Sequence, residues 1–262
     1  MDIANLDHTC SQINLPYCRY IDKPAYYPAR NYMIMDYRLH SLCTLVLLMV
    51  LIMSLVRLHV NIRKKYIAYA RDELMLICDI YLAHLVLEFV LVLELFKSRL
   101  ILTVQLSLIN AGTFTLILLC IFCTALNLIH SYAIVRVLAV AYFAASLIFF
   151  LLFLNNTVLV FLNFIFNLFL VLLFVFVQLF KLVSSRAEVW SFGNLFISVL
   201  FLAMSVLVLF VGNNVICFVC EGYLDGLFVF HIFLFLSFLM LHKYWLSTCD
   251  KEVECTAIQS GS

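Results

Sequence analysis

The chain has 262 residues, 66% of them hydrophobic and only 12% charged, and its formal net charge is +1. A soluble domain of this length carries about 25% charged residues to cover its surface. This balance, with a mean hydropathy of +1.12, excludes a soluble globular protein and offers no basic footprint for nucleic acid.

Residues 1–40 form a polar segment that holds all three prolines, Pro16, Pro24 and Pro28. It has no apolar core suited to a signal peptide, so the first spanning helix is expected to direct insertion. Its tyrosine-rich stretch "YCRYIDKPAYYPARNYMIMDY" suits the membrane interface or a partner surface.

From residue 41 to 246, apolar runs follow one another. A hydrocarbon core of about 30 Å needs about 20 helical residues. On that ruler the predicted spans are Ser41–Val60, Leu74–Phe96, Leu100–Leu126, Tyr132–Leu154, Val158–Phe180, Val189–Val211 and Tyr223–Leu246. The runs are continuous rather than alternating, which excludes a barrel. The expected fold is an all-α integral membrane bundle of about seven helices, or six if the second segment lies in the interface. Residues 247–262 are a short polar tail.

Lysine and arginine counts in the loops set the orientation. Arg57, Arg63, Lys64, Lys65, Arg71, Arg136, Lys181, Arg186, Lys243 and Lys251 fall on one side; Arg19, Lys23, Arg30, Arg38, Lys97 and Arg99 fall on the other. That bias places the N-terminus extracytosolic or lumenal and the C-terminus in the cytosol. Trp190, Tyr244 and Trp245 then sit at the cytosolic interface, where amphipathic rings belong.

The second span, "LMLICDIYLAHLVLEFVLVLELF", carries Asp79, His84, Glu88 and Glu94 as a candidate proton or ion site. An acid at mid-membrane costs about 3 kcal/mol or more. His84 and Glu88 are i, i+4 and lie side by side near the centre of the span, where a histidine beside a carboxylate could exchange a proton. Asp79 lies nearly opposite Glu88 on the helix, and Glu94 lies off that face. The structural alternative lets Asp79 and Glu94 reach the interfaces while His84 and Glu88 face a buried partner.

The fifth span carries the amides Asn156, Asn163, Asn167 and Gln178. Their separations, 7, 4 and 11, return to nearly the same angle on a helix of 3.6 residues per turn. They form one stripe, readable as a polar seam through the bundle or as hydrogen-bonded packing against a neighbouring helix. Packing is the preferred reading, because this face offers no hydroxyl residues deep in the span. Asn155-Asn156-Thr157 is the one glycosylation sequon, in a turn too tight to be modified.

Cys217 and Cys220, with Glu221, Asp225 and His231 nearby, have a metal-site look. Zinc would need a second pair, and Cys120 and Cys123 fall toward the opposite side of the membrane, so no metal is assigned. Cys10, Cys18, Cys217 and Cys220 share the outer side and could form disulfides. Cys249 and Cys255, just past the last span, are candidates for palmitoylation.

Absent features narrow the function. No proline follows Pro28, and only Gly112 lies deep in a span, so the broken helices of alternating-access transporters are missing. Seven spans resemble rhodopsin-like receptors in number alone: the third span ends in "LIHSYAIVR" without Asp/Glu-Arg-Tyr, and Asn-Pro-x-x-Tyr is impossible. No nucleotide, protease or hydrolase motif appears. The tail "CTAIQSGS" resembles the Gln-Ser sites cut by chymotrypsin-like cysteine proteases of positive-strand RNA viruses, which raises a viral membrane protein as a reading.

The expected function is that of a non-enzymatic, multi-pass membrane protein without cofactors, acting by assembly, partner contacts or membrane organisation. Its partners would be the lipid bilayer, further copies of itself or other membrane proteins. The alternative is a small ion or proton channel built on His84 and Glu88; a solute transporter ranks below both.

Overall fold

A computed structural model describes residues 31–34, 37–40, 42–65, 71–93, 99–125, 132–154, 157–184, 189–208, 216, 219–220, 224 and 226–260. Of these, 31–40, 99, 120–125, 132–133, 157 and 249–260 are described as backbone alone. Among the described residues the elements in chain order are strands β1 (Asn31–Ile34) and β2 (Tyr37–His40), then seven helices. These are α1 (Leu42–Lys64), α2 (Arg71–Val92), α3 (Arg99–Ala125), α4 (Tyr132–Phe153), α5 (Thr157–Ser184), α6 (Val189–Leu207) and α7 (Gly226–Ser260).

All seven helices are long and apolar enough to cross a membrane. Lipid offers no partner to backbone N–H and C=O groups, so each apolar run must satisfy them internally, and a helix does this within one segment. The second segment is one of the seven, with a mean hydropathy of 2.1 despite its ionisable residues. Helix ends carry charges suited to the helix dipole: Asp72 and Glu73 in the first turn of α2, Arg63 and Lys64 in the last turn of α1, and Lys181 in the last turn of α5. Two features were not expected from sequence. Strands β1 and β2 pair antiparallel, Asn31 opposite His40, within the polar N-terminal segment. Helix α7 also runs on through Ser260, so most of the polar tail is helical.

Sequential helices pack as antiparallel neighbours: α1 on α2, α2 on α3, α3 on α4, and α6 on α7. Helix α3 also packs on α5, and α7 returns to touch α1. On α1 the buried residues are Thr44, Leu48, Leu51, Leu55, Leu58 and Ile62. Alternating steps of four and three keep this seam on one side of the helix, as in knobs-into-holes packing. It meets Leu74, Ile77, Cys78, Tyr81 and Leu85 of α2 in the main apolar cluster, which extends to Phe238, Leu241, Tyr244 and Trp245 of α7.

Helix α3 is the central element. Half of its spanning window is buried, against 17% for α5, and its mean hydropathy of 1.7 is the lowest of the seven spans. A helix surrounded by others needs little lipid-facing surface, which leaves room for polar side chains.

Candidate functional site

Several polar groupings lie among the described residues of the membrane-spanning helices. The first joins α3, α4 and α5. Asn110 of α3 donates from Nδ2 to Ser146 Oγ of α4 at 2.9 Å and to Asn163 Oδ1 of α5 at 3.1 Å. Its own Oδ1 accepts from Asn163 Nδ2 at 3.2 Å and from Asn167 Nδ2 at 2.6 Å. Thr113 Oγ1 completes the junction by donating to Asn167 Oδ1 at 2.8 Å. One side chain thus ties three helices. Further along α5, Gln178 accepts from Tyr244 Oη of α7 at 2.7 Å. The α5 stripe therefore meets protein at Asn163, Asn167 and Gln178, while Asn156 lies outside the described residues.

The second grouping joins α2, α3 and α7. Glu88 accepts a hydrogen bond from Gln105 Nε2 of α3. One turn earlier, the ring of His84 lies 6.2 Å from that of His231 on α7 and 6.5 Å from Tyr81 on its own helix, and Tyr81 meets Phe238 edge-on at 5.5 Å. Tyr81, His84, Glu88, Gln105 and His231 are all buried. Among the described residues, Tyr81 Oη, His84 Nδ1 and Gln105 Oε1 have no hydrogen-bond partner. His84 and Glu88 therefore share a buried setting, and each faces a different neighbouring helix.

The third grouping is small. His59 Nδ1 of α1 lies 3.0 Å from Asp79 Oδ1 of α2. The distance suits an ion pair, but the groups are not aligned as a hydrogen bond. The Asp79 side chain is 49% exposed, that of His59 28%. Asp79 thus stands apart from His84 and Glu88, on the outer surface of the bundle. Between α6 and α7 a serine seam adds Ser198 Oγ donating to the Ser237 backbone carbonyl at 2.9 Å, the reciprocal bond at 2.8 Å, and Ser191 to Ser247 at 3.0 Å. Small hydroxyl residues let the two backbones come close.

The remaining sequence candidates have little structure to report. Glu94, Cys10, Cys18 and Cys217 lie outside the described residues, and Cys249 and Cys255 lie on the described backbone of α7. Cys220 is a partly buried free thiol. Among the described residues, no group of three or more His, Cys, Asp and Glu is arranged to hold a metal ion.

Sequence reasoning missed the partners on α3 and α4: Gln105, Asn110, Thr113 and Ser146. It also passed over His59 and named His231 only beside the cysteines. A signal was present on α3, where Thr103, Gln105, Ser107, Asn110, Thr113 and Thr115 crowd into the middle of one span.

Comparison with known proteins agrees with a multi-pass membrane protein. A chitin synthase export chaperone of Phaeosphaeria nodorum is 32% identical over 84 residues, and one of Fusarium oxysporum f. sp. lycopersici is 30% identical over 84 residues. Each alignment covers 31% of this chain and spans only a quarter of the relative's own length. No solved structure matches. These relatives are proteins of cellular organisms, so the viral reading of the tail is set aside: a Gln-Ser pair arises readily by chance. The channel reading likewise gains nothing from them. The model of one family, described as chitin synthase export chaperone, matches residues 2–258, nearly the whole chain, and the protein belongs to that family.

Proposed function

We propose that this protein is a non-enzymatic chaperone that binds a chitin synthase in the endoplasmic reticulum membrane and brings it to an export-competent state. The family match over residues 2–258 carries this reading. It takes in all seven spans, so the bundle as a unit is what the family shares. A synthase bound for export is first inserted in the endoplasmic reticulum, and its chaperone must meet it there. By the loop charge bias the N-terminus would be lumenal and the C-terminus cytosolic.

The polar groups of the bundle support a scaffold role. Asn110, Glu88, Gln178 and Ser198 each bond to a neighbouring helix, which holds the helices in fixed register. A fixed multi-helix surface suits recognition of another membrane protein, where affinity comes from packing and a few placed polar contacts rather than from hydrophobic transfer.

The test is loss and restoration of function in chitin-forming cells that lack their own family member. A fluorescently tagged chitin synthase should remain in the reticular membrane, with glycans sensitive to endoglycosidase H, and should reach the cell surface when this chain is expressed. Equal surface synthase with and without the chain would overturn the proposal.

A further inference from the structure

Asp79 is only partly covered by the packing of the bundle, through its contact with His59 of α1. It lies eight residues into α2 and five past Leu74, where the apolar run begins, about 7.5 Å along the helix axis at 1.5 Å per residue. Its side chain is nonetheless 49% exposed. A lipid-facing carboxylate costs about 3 kcal/mol at the middle of the membrane and less toward the interface, so part of that cost applies here. His59 offsets only part of that cost, because its contact is not aligned as a hydrogen bond. A carboxylate has about four acceptor positions on its two oxygens, and no hydrogen bond to Asp79 forms among the described residues.

Toward the centre of the membrane the surroundings are low in profile. Along the same face of α2, Asp79 is followed by the exposed Ala83 and Val86, at i+4 and i+7, and Val56 stands exposed one turn before His59 on α1. Small side chains such as that of Ala83 let a second helix approach closely. The outward face of α5 differs entirely, with Phe161, Ile165, Phe169, Leu172 and Phe176 exposed as a purely apolar surface for lipid.

We infer that the outer face of α1 and α2 around Asp79 and His59 is a docking surface for a transmembrane helix of the client. That helix presents a hydrogen-bond donor, a basic or amide side chain, to the Asp79 carboxylate. The inference rests on the chaperone reading and names where the client binds. Charge complementarity selects the occupant. Lipid tails cannot bond the carboxylate, and a second copy would bring the same acid to a shared axis, where like charges repel.

A photo-crosslinking amino acid placed at Ala83 tests this in cells that co-express a tagged chitin synthase, with position Phe169 as the control. The expected result is a synthase adduct from position 83 at least fivefold stronger than from position 169. Asp79→Leu should reduce that adduct at least fivefold, and Asp79→Asn should reduce it less, since an amide still accepts a hydrogen bond. The position 83 measurement needs no change at Asp79, so misfolding of a variant cannot hide a negative result. A position 83 adduct with a second copy of this chain, or none with any protein, would overturn the docking surface. If synthase export still depends on the chain in that case, the chaperone reading stands and only this surface fails. If export never depended on the chain, the chaperone reading itself fails.

Discussion

Helices α2 and α5 both carry polar side chains through the membrane but place them differently. Helix α5 turns Asn163, Asn167 and Gln178 toward α3 and α7 and shows lipid a face of Phe, Leu and Ile. Helix α2 turns Tyr81, His84 and Glu88 inward and Asp79 outward. The one-sided helix uses all its described amides to hold the bundle together. The two-sided helix places part of its polar content inside the bundle and leaves Asp79 half exposed beside His59 at its surface. In lipid, where apolar faces are all alike, a polar group turned outward is the clearest mark of a surface kept for something else.

Substitutions can break this contrast in order of size. The largest effect is expected at Asn110→Leu, which strips partners from Ser146, Asn163 and Asn167 together. With interhelical bonds in lipid worth about 0.6–2 kcal/mol each, the loss should reach about 2–4 kcal/mol. Equilibrium unfolding in mixed micelles would measure it. Glu88→Ala should follow, at about 1–3 kcal/mol, because Gln105 is left buried without its acceptor. Glu88→Gln should recover most of that loss in the same assay, since its carbonyl still accepts from Gln105. Tyr244→Phe removes one hydroxyl bond to Gln178 and should cost about 1 kcal/mol. Phe176→Ala, on the outward face of α5, should change stability by no more than about 0.5 kcal/mol, because lipid replaces what the ring touched. A large loss there would mean that α5 is two-sided after all.

The seven spans were legible because length and hydropathy alone decide whether a helix can cross a bilayer. Their ends were read to within a few residues, except that polar composition hid the helical continuation of α7. The amides of α5 stood out as isolated polar groups on a very apolar helix, at spacings that share a face. Their counterparts on α3 did not stand out, because uncharged Thr, Ser, Gln and Asn lower hydropathy only gradually and spread over several faces. No spacing rule within one helix can say that Asn110 meets Asn163, since that pairing depends on which helices become neighbours. The His59–Asp79 contact was hidden for the same reason: its members sit on different helices, and only their packing shows that Asp79 remains partly uncovered.

Asn110 also sets a condition on how the protein is made. Its partner Asn163 lies 53 residues later in the chain, and at about 5–20 residues per second the ribosome needs about 3–10 s to reach it. During that interval helix α3 is in or beside the bilayer with an amide that lipid cannot bond. Ser146 of α4 offers the amide a first partner, and Asn163 and Asn167 of α5 complete its bonding, so α3 settles in lipid stepwise as these helices arrive. Membrane insertion of this protein is thus completed by its own later helices.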